Sequence, residues 1–394
     1  MSVFDDVIGQ DSAVAELKRA ALDAAKITMG ERGDAMTHAW LITGPPGSGR
    51  STSALAFAAA LVCAQGGCGT CIDCRNVATG SHPDVEHVIP NGVVYTVDDA
   101  DQLIERTALT PRRGPWHIFV VEDVDRFQLN ATPKLLKAIE EPPPQTVWIL
   151  CAPTVDDLLP TIVSRCRQVH LVTPSLAFVA EQLMNRFGVD EAMATFAARV
   201  AQGHIGRARA LATDEQVRMR RSQVLEIPSK LNNVSSCFTL ANLVVSTVNA
   251  DTETVVVPLE QQDEADVRTV YGDGTQGFKS VDRAIKREMK SLEDRWKARR
   301  RRITADQYDR VLLDLTGFYR DVLVVQAQSQ APLINEELLA AIEFVAMSGD
   351  SDATLRKVDA IYEARDQLLA NVHAPTVFES LFVALRDPSL VNPR

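Results

Sequence analysis

Ala39-Trp40-Leu41-Ile42-Thr43-Gly44-Pro45-Pro46-Gly47-Ser48-Gly49-Arg50-Ser51 is a short apolar run that breaks into glycines and prolines. An alanine-rich stretch, Ser51 to Val62, follows it. That order predicts a buried strand, a tight loop and a helix. Residues 44–51 fit G-x-x-x-x-G-K-[ST] at every defined position except the lysine, where Arg50 stands. In such a loop the glycines let backbone N–H groups turn inward around phosphates, and the next helix aims its positive end at the same place. A glycine-rich turn with no ligand is the plainer reading. The strand before and the helix after favour a phosphate loop. Arg50 is its fault, because a planar guanidinium is larger than an ammonium and reaches differently.

Outward from this loop, helical and strand patterns alternate. Ser12 to Lys26 places Val14, Leu17, Ala21 and Leu22 on one face, with Asp11 or Ser12 expected as the cap. Trp116 to Val121 and Thr146 to Ala152 are further apolar runs of strand length. Strands alternating with helices imply a parallel sheet covered on both faces. The first of these runs ends in Glu122-Asp123, where a P-loop ATPase holds Mg²⁺ and orients the attacking water. The usual order is Asp then Glu. The reversal moves one carboxylate out and the other back by a methylene, and a misplacement of ~1 Å can cost about a hundredfold in rate. Two surface carboxylates at a strand end are the bland alternative.

After Thr173-Pro174 strand patterns stop. Leu176 to Phe187, Glu191 to Ala201 and the segment from Gly203 to Ala212 read as short helices, and from Met219 onward the chain reads as helical. One exception is expected: residues 246–277 carry Asp251, Glu253, Glu260, Asp263, Glu264, Asp266 and three glycines, and read as a polar loop or insertion. A basic helix follows, with ten Lys or Arg between Arg283 and Arg302 (283, 286, 287, 290, 295, 297 and 299–302). It is read equally as a nucleic-acid contact, with Trp296 stacking on a base, or as a solvated face paired with the acidic stretch.

Cys63, Cys68, Cys71 and Cys74 are spaced C-x4-C-x2-C-x2-C, with Gly66, Gly67 and Gly69 supplying turns. Four thiolates suit a closed tetrahedral zinc site, which is structural because no position remains for water. A redox C-x-x-C pair is the alternative, and His82 or His87 could replace Cys63 as a ligand. Cys151, Cys166 and Cys237 stand alone and read as small buried hydrophobes.

With 394 residues, 46% hydrophobic and 24% charged, the chain has the composition of a soluble protein of two or three domains. No stretch approaches the ~20 apolar residues of a membrane span. Met1 to Asp6 lack the basic start of a secretory signal, so a cytoplasmic location is expected. The formal net charge of −11 argues against nucleic-acid binding over the whole surface.

The order of P-loop, four-cysteine insert, acidic strand end and Ser164-Arg165-Cys166 resembles the delta-prime subunits of the bacterial DNA polymerase III clamp loader. Ser81-His82-Pro83-Asp84 and the stretch Leu135 to Pro143 are similar to that family as well. The resemblance covers residues 1–215. It implies an α/β P-loop (AAA+) domain with a parallel sheet over 1–173, zinc insert 63–74 included. A small helical lid over 174–218 and an all-α collar domain over 219–394 would follow.

For function, the resemblance implies a structural subunit that helps load the sliding clamp on primed DNA as part of the DNA polymerase III holoenzyme. The degenerate nucleotide site would comprise Gly44, Gly47, Gly49, Arg50, Ser51, Thr52, Glu122 and Asp123. ATP with Mg²⁺ would bind poorly or not at all, because the sensor positions at Cys151-Ala152-Pro153 and Gly203-His204-Ile205-Gly206 also depart from the family pattern. Arg207 and Arg209 lie near the second. Arg165 would be a catalytic arginine finger acting in trans. Arginine suits that task because it is always charged and donates bidentately to phosphate; without the resemblance it reads as an ordinary strand-flanking residue. Zn²⁺ on Cys63, Cys68, Cys71 and Cys74 would be structural. Partners would be the gamma/tau and delta subunits, the sliding clamp and primer-template DNA. The rival readings are an ATP-hydrolysing gamma/tau-like subunit and a stand-alone zinc-stabilised DNA-binding protein.

Overall fold

The computed structural model describes residues 2–90, 94–271 and 279–391, with side chains given outside 266–288, 291–292, 294–295 and 298. The chain divides into two compact units. The first holds residues up to Thr213 and the second runs from Asp214.

The first unit is built on five parallel strands, β1 (Ala39–Thr43), β2 (Val85–Val88), β3 (His117–Val121), β4 (Thr146–Ala152) and β5 (Arg167–His170). Their order is β2-β3-β4-β1-β5. α1 (Asp11–Thr28) precedes them, and between them run α2 (Arg50–Val62), α3 (Ile72–Ala78), α4 (Val97–Thr107), α5 (Thr132–Glu140) and α6 (Pro160–Val163). This is an α/β P-loop domain with a five-stranded parallel sheet, and the helical C-terminal region follows it.

Because side chains alternate across a strand, one short run serves two cores. Trp40 and Ile42 join Phe57, Ile118, Val120 and Ile149 on the α1–α2 face. Ala39 and Leu41 join Phe119, Val121, Trp148 and Leu135 on the α4–α5 face. Trp40 meets Phe57 edge-on at 5.0 Å, and each such fully buried large side chain stabilises by roughly 1.5–3 kcal/mol. Three further helices, α7 (Leu176–Phe187), α8 (Glu191–Ala201) and α9 (Ile205–Thr213), pack on one another and complete the unit.

Asp84 explains the Ser81-His82-Pro83-Asp84 stretch. It is buried, and its carboxylate accepts backbone N–H bonds from Arg112, Arg113 and Gly114 at 2.5, 2.7 and 2.6 Å. The turn entering β3 is thereby fixed to the start of β2. Burial works to raise the Asp84 pKa, but the three N–H donors outweigh it and hold the carboxyl below its ordinary value.

The second unit contains α10 (Glu215–Leu225), α11 (Ile227–Lys230), α12 (Val234–Tyr271), α13 (Lys279–Gln326), α14 (Leu339–Met347), α15 (Ser351–Leu369) and α16 (Ala374–Arg386). Leu312, Leu315, Phe318, Phe378 and Phe382 centre its core. The expected loop at 246–277 is corrected here: the chain is helical as far as Tyr271, and residues 272–277 lie outside the described set. The physical reason is pairing with α13. Val244, Val248, Thr252 and Val256 are buried along one face of α12. The acids beyond them meet bases of α13. Asp263 accepts from Arg299 at 2.8 Å and from Trp296 Nε1 at 2.9 Å. Glu260 meets Arg300 at 3.1 Å, and Arg300 also bonds Glu253. In the described part of the basic helix, the charges therefore complement the acidic stretch, and Trp296 serves the same contact. Among the described residues no helix is long and apolar enough to cross a membrane.

Asp84→Asn should destabilise the first unit by on the order of 3 kcal/mol, since a neutral amide cannot accept all three donors. Urea melts measure it. A depressed carboxyl contributes its stability fully above the unfolded value, near 3.8, and loses it as pH falls through the lower folded value. The gap between wild type and variant should therefore close only below that range.

Candidate functional site

The loops after β1, β3 and β4 gather at the carboxyl edge of the sheet, where open α/β sheets place their ligand sites. Gly44 is held there by strand β4, its N–H bonding the carbonyls of Pro153 (3.1 Å) and Ala152 (3.4 Å). Gly47 and Gly49 have φ of +83° and +92°, a region glycine enters without steric cost. Ser51 and Thr52 are exposed on the first turn of α2.

Arg50 lies across this loop. Its Nη1 donates to the Gly44 carbonyl at 2.8 Å, and its Nη2 stands 3.6 Å from Asp123 Oδ1. Asp123, in the left-handed region at φ +46°, also faces Arg126 at 3.6 Å. Glu122 is turned elsewhere. It is buried, and its Oε1 meets His87 Nε2 at 3.0 Å, while Tyr95 donates to its backbone carbonyl at 2.8 Å. The two carboxylates expected to act together are thus committed to different partners.

Two contacts at the loop have no signature in the sequence. Gln10 donates to the carbonyls of Ser48 (3.2 Å) and Val172 (2.7 Å) and accepts from Val172 N–H (3.0 Å). This corrects the expected cap of α1: Gln10, not Asp11 or Ser12, occupies the N-cap, and it makes no capping bond because its amide is engaged at the loop. His204, just before α9, lies directly against Gly47. A Cβ on Gly47 would fall 2.1 Å from the His204 ring. Of the two arginines that follow, Arg209 stacks on Phe187 at 4.8 Å. The backbone N–H of Arg207 bonds His204 Nδ1 at 3.2 Å.

Arg165 stands apart from the loop, on the turn after α6. Its guanidinium reaches Glu140 Oε1 at 2.5 Å and donates to the Thr161 carbonyl at 2.9 Å. Its side chain is 38% exposed, which leaves it reachable from outside the chain.

The four cysteines form a second site. Their sulfurs all lie within 4.8 Å of one another, with Cys63 3.8 Å from Cys68 and 3.7 Å from Cys71. A tetrahedron of sulfurs about 2.3 Å from a zinc ion has edges of about 3.8 Å, so the four can hold such an ion. Backbone N–H groups of Gln65, Cys71 and Cys74 each point at a cysteine sulfur at 3.4 Å, which favours thiolate. Burial opposes this at Cys63, but the N–H donors prevail and lower its pKa. At Cys68 the donors around Thr70 and Cys71 bring it to about 6. Burial, foremost, pushes Cys74 up. His82 accepts the Asp84 N–H, and His87 pairs with Glu122, so neither joins the cluster. The solitary thiols Cys151, Cys166 and Cys237 are buried and raised by that burial, Cys166 to about 12.

A P-loop α/β domain, with its loop spanned by its own arginine and a four-cysteine cluster after α2, defines the class of this protein. Residues 25–175 match the family model described as DNA polymerase III, delta subunit. The chain is 23% identical to the DNA polymerase III subunit delta′ of Bacillus subtilis over 90% of its own length and 92% of that protein. It is 32% identical to the delta′ of Pseudomonas aeruginosa over 49% of its length, spanning 61% of that relative. The gamma/tau subunit of Mycobacterium tuberculosis is 32% identical over 41% of this chain and 27% of its own length. Among solved structures, a gamma-subunit-related protein of Thermotoga maritima aligns over 93% of this chain and 99% of its own, at 13% identity and a TM-score of 0.38. The chain is thus similar to delta′ subunits of DNA polymerase III, in one case over nearly the whole length of both proteins.

Gly47→Ala should cost about 1–3 kcal/mol, because a Cβ meets the His204 ring and strains a left-handed backbone. In a double-mutant cycle followed by urea unfolding, His204→Ala should relieve the steric part and leave the backbone part.

Proposed function

We propose that this chain is a structural, non-hydrolysing subunit of the DNA polymerase III clamp loader. In that role it helps place the sliding clamp on primed DNA and supplies Arg165 to a neighbouring ATPase subunit. The observation that carries the first half is Arg50 bonded across the loop to the Gly44 carbonyl and facing Asp123. Nucleotide binding would require the guanidinium to leave both, and Glu122 is already engaged with His87. The set Gly44, Gly47, Gly49, Arg50, Ser51, Thr52, Glu122 and Asp123 is then a fold marker rather than a working ATP and Mg²⁺ site.

The second half rests on Arg165. It is exposed, on a short turn, and its ion pair with Glu140 is solvated, so releasing any of its bonds costs little. A finger of this kind acting in trans raises phosphoryl-transfer rates by about 10³–10⁵. The phosphate would sit on a gamma/tau-type partner, with delta, the clamp and primer-template DNA completing a cytoplasmic hetero-oligomer. Zn²⁺ on Cys63, Cys68, Cys71 and Cys74 would be structural: with all four sites filled by thiolate it tethers the insert to the end of α2 and does no chemistry.

An ATP titration of the isolated chain with Mg²⁺ should show weak or no binding and no turnover. Tight binding with steady hydrolysis would instead favour a gamma/tau-like ATPase. In the complex reconstituted with its partner subunits, Arg165→Ala should lower DNA-stimulated hydrolysis at least a hundredfold at the interface it serves; normal hydrolysis and loading would remove the finger. Metal analysis should give about one zinc per chain, lost in Cys68→Ser, with the first unit melting lower after chelation.

A further inference from the structure

Three oxygen atoms fix the Arg165 guanidinium. Nη1 donates to the Thr161 carbonyl at 2.9 Å and to Ser164 Oγ at 3.3 Å, and Nη2 reaches Glu140 Oε1 at 2.5 Å. The first two belong to the turn that carries Arg165 and move with it. Glu140 comes from another element. It is the last residue of α5, whose Leu135 and Ile139 are buried against the sheet. Of the three contacts, it alone refers the arginine to the rigid part of the domain.

The pair is too open to hold the fold together. Its side chains are 38% and 43% exposed, and exposed ion pairs contribute little to stability. Its consequence is orientation. A carboxylate on one terminal nitrogen and a carbonyl on the other set the plane of the fork as well as its position. Guanidinium has five N–H donors, so the bonds made within the chain leave others for phosphate oxygens.

We propose that Glu140 is a positioning residue for Arg165, holding its guanidinium in the orientation from which it meets a phosphate bound by a neighbouring chain. The proposal rests on the reading of Arg165 as a finger in trans. Its test uses the complete complex with its ATP-hydrolysing partner subunits and primed DNA. The expected result is that Glu140→Gln lowers the DNA-stimulated kcat about three- to tenfold with KM for ATP unchanged. Glu140→Asp should recover part of the loss, and Glu140→Gln should add nothing in the Arg165→Ala background. Melting temperatures of the single variants should match wild type. A slow Arg165→Ala beside a Glu140→Gln of normal rate would overturn the positioning role and leave the finger standing. A Glu140→Gln faster than wild type would make Glu140 a brake, which also overturns it. An Arg165→Ala of normal rate would remove the finger and this inference together.

Discussion

The bond from Arg50 to the Gly44 carbonyl decides how the rest of this site is arranged. A loop of this shape, followed by a helix start, is suited to negative charge. A guanidinium placed at its mouth adds positive charge where the backbone already provides it. The balance comes from oxygen: the Gly44 carbonyl at 2.8 Å and the Asp123 carboxylate at 3.6 Å. Asp123 faces Arg50 from φ +46°, a left-handed conformation that Asp visits more readily than most non-glycine residues. Gln10 from one side and His204 from the other then pack on the same loop. The glycine frame persists because these neighbours need it: Gly44 lies against Ser48 and Leu171, and Gly47 against His204.

What could be read from the sequence follows from how local each signal is. β1 and β4 are continuous apolar runs because both faces of the sheet are covered. β2 and β5 lie at the two edges and read Val85-Glu86-His87-Val88 and Arg167-Gln168-Val169-His170; edge strands need no such run, so neither stands out. The four cysteines fall within twelve positions, and their clustering was legible from spacing alone. The pairings of Gln10, His87 and His204 could not be read locally, because their partners at Ser48, Glu122 and Gly47 are distant in the chain. The same limit misread the acids of α12. Alone, Glu253, Glu260 and Asp263 look like a solvated loop; with Arg299 and Arg300 opposite them they are one side of a helix pair.

The second unit uses buried polar groups in a comparable way. Asp321, fully buried, accepts from the backbone N–H groups of Ile334 and Asn335 and from the Asn335 side chain. Asn335 in turn accepts from the buried Arg221, which also meets Glu337. Such a network is costly unless each member is satisfied. It fastens the segment before α14 to α10 and α13 by geometry that apolar packing would leave free to slide.

Arg50 and Arg165 show how one side-chain chemistry is held differently according to what surrounds it. Both are guanidinium groups that bond a backbone carbonyl and face a carboxylate. Arg50 is half-enclosed, its own loop supplies the carbonyl, and the carboxylate comes from the residue pair that ends β3. Displacing it means breaking both contacts. Arg165 stands on a short exposed turn, and its carboxylate partner sits behind it on α5. The guanidinium therefore keeps donors free for a further oxygen without breaking the internal bonds. The first arrangement ties the loop to the end of a neighbouring strand, and the second leaves an oriented arginine at the surface.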